Sequence, residues 1–133
     1  MSDGSLAIVG TRVLGCPGDV VRAIVRIYAA IDRLEPAVIV SGGADGVDTL
    51  AEQCAIERGY TEANGRLVIF RPTVKRFHGP GGYRERDEKI ARHCTHLLRL
   101  YCRRSTTYGS GWTADRAEEL GAIVVRHLVC EPS

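Results

Sequence analysis

The chain has 133 residues, 44% of them apolar and 26% charged, with a formal net charge of +2. Such a length suits one domain with a real core, and the balance is that of a globular protein rather than a disordered or fibrous one. The near-neutral total argues against nucleic acid as a partner, and no apolar run approaches the ~20 residues of a membrane span.

The amino-terminal segment lacks a signal-peptide pattern, so a cytoplasmic location with no membrane partner is expected. Cys16, Cys54, Cys94, Cys102 and Cys130 are odd in number and form no CxxC pair. They read as reduced thiols rather than a disulfide framework.

Along the chain, short apolar runs alternate with segments of helical spacing. Leu6–Val9 is the first predicted strand. Val20, Ile24, Ile27, Ile31 and Leu34 then recur at steps of three or four, between Pro17-Gly18-Asp19 as a start and Pro36 as a stop. A second strand, Ala37–Val40, leads through glycines into a helix carrying Val47, Leu50, Ala51, Cys54 and Ala55, which Gly59 ends.

The third strand, Leu67–Phe70, is followed by a glycine- and proline-rich stretch over 72–83 that reads as a loop. A third helix is predicted from about Tyr83 to His93, a fourth strand at Leu97–Tyr101, a fourth helix from about Thr113 to Leu120 and a last strand at Ala122–Val125. The runs are nearly continuous rather than alternating, which predicts strands buried on both faces. The order implies a single α/β domain over 1–133: a Rossmann-like, doubly wound, mainly parallel five-stranded sheet with helices on both faces.

Three glycine-bearing turns follow strands: Gly10-Thr11-Arg12, Ser41-Gly42-Gly43-Ala44-Asp45, and Tyr108-Gly109-Ser110-Gly111. In a doubly wound sheet all three share the carboxyl edge, where ligands bind. A strand that turns through glycine into a helix presents free N–H groups to an anion. Backbone around Gly42–Ala44 and Gly109–Gly111 is therefore expected to cradle phosphate or ribose oxygens, with Arg12 and Arg86 pairing with phosphate. Neither the dinucleotide fingerprint nor a P-loop is present, and no cofactor is expected.

Several residues keep two readings. Asp45 is a ligand contact or a helix N-cap. Asp48 is an acceptor for ribose hydroxyls or a structural partner. Arg84 reads as an i,i+4 partner of Glu88, leaving Arg86 for the site. His78 is a ligand contact or a solvated loop residue. Trp112 and Tyr108 stack on a base, or cap the sheet edge or a dimer contact. His93 and His96 flank a helix end and give no metal geometry, so no metal site is expected.

Val9-Gly10-Thr11-Arg12, the run from Val40 through Ser41-Gly42-Gly43-Ala44-Asp45-Gly46-Val47-Asp48 to Ala51, Arg86-Asp87-Glu88-Lys89-Ile90 and the turn at Gly109–Gly111 resemble the SLOG superfamily. Within it the chain is most similar to the YspA-type branch, and the Ser-Gly-Gly-Ala element is shared with the DNA-processing protein A branch. The resemblance implies a Rossmann-like, often homodimeric protein that binds nucleotides or nucleotide-derived ligands. With no obvious nucleophile and no paired glutamates, the leading reading is capture of a nucleotide or an ADP-ribose-like ligand without obvious turnover. The implied ligand set is Gly10, Thr11, Arg12, Ser41, Gly42, Gly43, Ala44, Asp45, Asp48, Arg86, Gly109, Ser110, Gly111 and Thr113.

Asp87 stands where the family commonly has asparagine, and the proline and glutamate of the phosphoribohydrolase branch are absent. An alternative reading is hydrolysis of the N-glycosidic bond of a nucleoside monophosphate. That chemistry needs a carboxylate near the ribose, with Asp48, Asp87 or Asp115 as candidates beside Arg86. A further alternative, single-stranded DNA binding, needs a basic groove with aromatics, toward which the 75–78 and 99–104 stretches contribute.

Overall fold

Nearly continuous apolar runs form strands here because helices cover both sides of the sheet they build. The computed structural model describes residues 4–102 and 109–130. In chain order the elements are β1 (Ser5–Gly10), α1 (Pro17–Leu34), β2 (Val38–Ser41), α2 (Val47–Glu57), β3 (Leu67–Ile69), α3 (Tyr83–Arg92), β4 (His96–Tyr101), α4 (Gly109–Glu119) and β5 (Ile123–Leu128). All four strand pairings are parallel and the order is β3-β2-β1-β4-β5. This is the doubly wound α/β sheet expected from the sequence.

Alternate residues of each strand feed opposite layers. Leu6, Ile8, Ile39, Leu98 and Leu100 pack under α1 and α2 with Ile27, Ile31, Val47 and Ala51. Ala7, Val9, Val40 and Leu97 pack against α3 and α4 with Ile90, Ala91, Ala114 and Ala117. Pro17 opens α1 at a position where its missing N–H costs nothing, and Glu35 closes the helix in the left-handed region at φ 43°. Gly59 and Gly121, both at positive φ, follow α2 and α4.

Two expectations are corrected. β5 is not buried on both faces: Ile123 is 61% and Val125 38% exposed. As the edge strand it lies beyond the reach of α1, which packs on β1 and β4. The segment 109–111, expected as a glycine turn before a helix starting near Thr113, is the first turn of α4 itself. Among the described residues no helix is long and apolar enough to cross a membrane.

Candidate functional site

The carboxyl ends of β1 and β2 are drawn together by two glycines. A Cβ on Gly10 would strike the Leu100 carbonyl oxygen and the Val47 side chain. Gly46, at φ 78°, precedes α2 and lies against the carbonyls of Thr11 and Arg12. The Thr11 N–H donates to the Leu100 carbonyl (3.0 Å), its own carbonyl accepts from the Val47 N–H (3.1 Å), and its hydroxyl donates to the Val13 carbonyl (3.2 Å). Thr11 thus welds the edge together, and its backbone N–H is spent inside the fold.

Between these strand ends, α3 and the start of α4 lies a crevice of about 230 Å³. Gly10, Arg12, Ala44, Asp48, Arg86, Asp87, Gly109, Ser110 and Thr113 line it, together with Val9, Phe77, Tyr83 and Ile90. Its floor is a cluster of buried charge. Asp48, Arg86 and Asp87 are 6%, 7% and 4% exposed. Arg86 Nε donates to Asp87 Oδ1 (2.6 Å), and Nη1 donates to the Gly42 carbonyl. Asp48 Oδ2 accepts from the Ala44 N–H (3.3 Å).

Burial dominates the protonation of both acids. It lifts Asp48 to about 7, against the Ala44 hydrogen bond and the Arg86 charge that pull it down. Asp87 is also raised by burial, opposed by its ion pair with Arg86 and by the Thr113 hydroxyl. Near neutral pH the floor therefore carries one guanidinium and less than two full negative charges. It is a pocket whose acidity does not repel an anion as strongly as its residue count suggests.

The rim is cationic and aromatic. Arg12 lies 4.8 Å and Arg86 5.4 Å from the Tyr83 ring centre. In an adjoining cleft that also holds Glu85, Glu88, Asp115 and Glu119, Arg84 lies 5.5 Å from the Trp112 ring. Trp112 meets the crevice-lining Phe77 edge-on at 6.3 Å, and Phe77 meets His78 at 4.9 Å. The 72–83 loop that brings these rings in is held by backbone bonds: Thr73 and Val74 N–H to Gly81, Tyr83 N–H to Arg76 (2.7 Å), Arg84 N–H to Phe77 (2.9 Å). Arg12, Arg76 and Arg84 form no ion pair among the described residues. Most other arginines do, as in Arg58–Asp32, Arg71–Glu62, Arg116–Glu88 and Arg126–Asp115. The sequence reading named Phe77 only as part of a basic stretch and gave Tyr83 no role. Their signal, aromatics interleaved with arginine from residue 76 to 84, was present.

Other expected site residues stand apart from the crevice. Ser41 is fully buried and donates to Glu52 Oε2 (2.6 Å) on α2. Gly42 reaches the site only through its carbonyl, and Gly43 and Asp45 are exposed beside it. Gly46, not Asp45, is the N-cap of α2. Gly111 packs against Arg99, whose Nε donates to Oγ of the crevice-lining Ser110 (3.1 Å). Asp115 is exposed on the outer side of α4, paired with Arg126. Tyr108 and residues 103 and 104 lie outside the described residues.

The expected Arg84–Glu88 pair does not form. Glu88 is taken by Arg116 (2.8 Å) and Arg92 (3.1 Å), because α4 packs beside α3 and offers a less exposed partner. His93 and His96 bond to the Lys89 carbonyl and the Thr95 hydroxyl, away from each other. The reading of all cysteines as free thiols fails at one pair. Cys102 and Cys130 are joined as a disulfide, because β4 and β5 run side by side and end together. Cys16, Cys54 and Cys94 are free.

Residues 1–69 match the family described as DNA recombination-mediator protein A. The fold is similar to that of DNA processing protein A from Helicobacter pylori, a structure described for its single-stranded DNA binding mode. The TM-score is 0.65 at 18% sequence identity, over 93% of this chain and 65% of that one, so this chain spans just under two thirds of that relative's length. No curated protein matches the chain. The solved relative overturns the expectation, drawn from net charge, that nucleic acid is no partner for a chain of this kind. A total of +2 averages over all faces, whereas Arg12, Arg76 and Arg84, none in an ion pair among the described residues, lie at or beside the crevice.

Proposed function

Since the chain belongs to the DNA recombination-mediator protein A family, we propose that it binds single-stranded DNA across the carboxyl edge of its sheet. The observation that carries this reading is the rim itself. Arg12 and the buried Arg86 lie against Tyr83 in a crevice of about 230 Å³, and Phe77 on its wall meets Trp112, which lines the adjoining cleft with Arg84. Guanidinium groups track phosphates while rings stack on bases, a combination indifferent to sequence. The first turn of α4 adds N–H groups suited to a phosphate oxygen.

The test is fluorescence anisotropy of a labelled oligothymidylate across a salt series. Binding that weakens with salt, with a log–log slope of about −2, is expected for three phosphate contacts at about −0.7 each. Trp112 is the only tryptophan, so its emission should be quenched as bases stack. Trp112→Ala or Phe77→Ala should cost roughly 1–3 kcal/mol of binding. An oligonucleotide that gives no anisotropy change at low salt rejects the proposal.

A second reading, capture of a free nucleotide or an ADP-ribose-like molecule, is favoured by the buried floor of Asp48, Arg86 and Asp87. That floor offers one guanidinium for a phosphate and two carboxyl groups for ribose hydroxyls. Thermal-shift measurements against mononucleotides and ADP-ribose, with product analysis of each hit, separate this from strand binding and from glycosidic hydrolysis. A ligand at about 100 times its dissociation constant should stabilise by about 2.7 kcal/mol.

A further inference from the structure

Outside the residues that line the crevice, three chain segments converge on a second constellation. Cys102 directly follows β4, Cys130 follows β5, and Asp19 stands in the first turn of α1. All three are buried, at 6%, 6% and 0% exposed. One ligand atom from each, two sulfurs and a carboxylate oxygen, lies within 4.8 Å of the others. The Cys102 and Cys130 Cα atoms are 5.1 Å apart.

The setting holds these atoms in place. The Val129 N–H donates to the Tyr101 carbonyl (3.0 Å), which fixes the register of the two cysteine-bearing segments. Arg22 donates through Nη2 to Asp19 Oδ1 (2.6 Å) and through Nε to the Val129 carbonyl (2.7 Å), tying α1 to the same place. Cys16, at the N-cap of α1, hydrogen-bonds the Asp19 carboxylate.

We propose that the reduced Cys102–Cys130 pair, with Asp19, binds one thiophilic divalent cation, zinc fitting best. Two thiolates and a carboxylate suit a borderline-soft tetrahedral ion, with water in the fourth position. They do not suit magnesium or calcium, which want oxygen shells.

Charge balance favours the same answer. Two thiolates and a carboxylate carry three negative charges, which the cation and Arg22 cancel. Two neutral thiols beside the Asp19–Arg22 pair are also neutral. Binding thus exchanges two protons for one cation and leaves no net charge in the interior. Arg22 takes the outer place beside the ligating carboxylate, orienting it.

The disulfide and the metal-bound state exclude one another. A dithiol reductant supplies two electrons and two protons to the Cys102–Cys130 bond and leaves as its own disulfide. The two thiols then lose their protons to solvent as the cation binds.

The test uses the whole chain, reduced with dithiothreitol, desalted without air and titrated with Co²⁺. Sulfur-to-cobalt charge-transfer absorption and tetrahedral d–d bands should saturate at one cobalt per chain and be displaced by one equivalent of Zn²⁺. The oxidised protein should show neither. Asp19→Asn should weaken binding at least tenfold while keeping the sulfur bands, and Cys102→Ser or Cys130→Ser should remove them. Because those serine variants can fail to fold, Zn²⁺ protection of Cys102 and Cys130 from alkylation is measured on the reduced wild type, with Cys94 as internal control. Absent charge-transfer bands in the reduced protein, equal bands in the oxidised protein, or no zinc protection of the pair would each overturn the proposal.

Discussion

A carboxyl group enclosed beside a second acid and a single guanidinium cannot keep the proton affinity it has in water, and Asp48 is lifted from 3.8 to about 7. The folded protein therefore holds a proton that the unfolded chain releases between those values. Its contribution to stability is fully present below about pH 4 and is lost as pH rises toward 7, at about 1.4 kcal/mol per unit. Asp48→Asn, which never ionises, should gain over wild type by roughly 2–3 kcal/mol more at pH 8 than at pH 5 in urea denaturation. An equal gain at both values would mean that Asp48 is ionised throughout. Arg86 has the opposite character: it is buried as a charge and shields Asp87. Arg86→Ala strands that carboxylate and should cost about 3–5 kcal/mol, while adding Asp87→Ala should return part of the loss. Thermal unfolding of the two variants, compared with wild type, reads this directly. Arg86 was legible in the sequence as a site residue, but its partner was not. Neighbours in sequence on a helix do not normally face each other, and only the Gly42 carbonyl turns Arg86 back onto Asp87.

Glycine decides where elements can meet. Gly46 and Gly65 have similar positive φ, 78° and 75°, yet a Cβ at Gly65 meets nothing within 4 Å while one at Gly46 runs into two carbonyls. Gly65→Ala should cost about 1 kcal/mol from backbone alone, and Gly46→Ala at least ~3 kcal/mol, since the β1–α1 and β2–α2 connections must part. Comparing the two midpoints in urea separates conformational cost from close approach. The strands were legible because burial on both faces writes a continuous apolar run. The exposed face of β5 was not, since Ile123 and Val125 look like core until the strand order places them on an edge. Nor was the start of α4. Two glycines argue against helix by about 1 kcal/mol each, but Gly111 packs closely against the Arg99 guanidinium, which favours a small residue there. The Cys102–Cys130 bond, 28 residues apart in sequence, is invisible without the β4–β5 register.

Across the whole molecule, charge is sorted rather than balanced. Many acidic residues of α1, α3 and α4 are engaged by arginines, while Arg12 at the crevice and Arg76 and Arg84 beside it form no ion pair among the described residues. Arg12→Glu with Arg84→Glu should therefore shift oligonucleotide affinity by more than tenfold at low salt and by much less at high salt, with melting temperature little changed. A loss independent of salt would point to misfolding rather than lost steering.

The parallel sheet also gives the molecule a front and a back. β1 starts at the amino edge, far from the crevice, whereas β5 ends on the same edge as Gly10 and Gly109. A bulky fusion upstream of β1 is attached at the edge opposite the crevice, while one downstream of β5 is attached at the edge the crevice shares. Of two fusions to the same fluorescent protein, the amino-terminal one should retain ligand binding and the carboxyl-terminal one should weaken it. Surface immobilisation for binding assays belongs at the start of the chain.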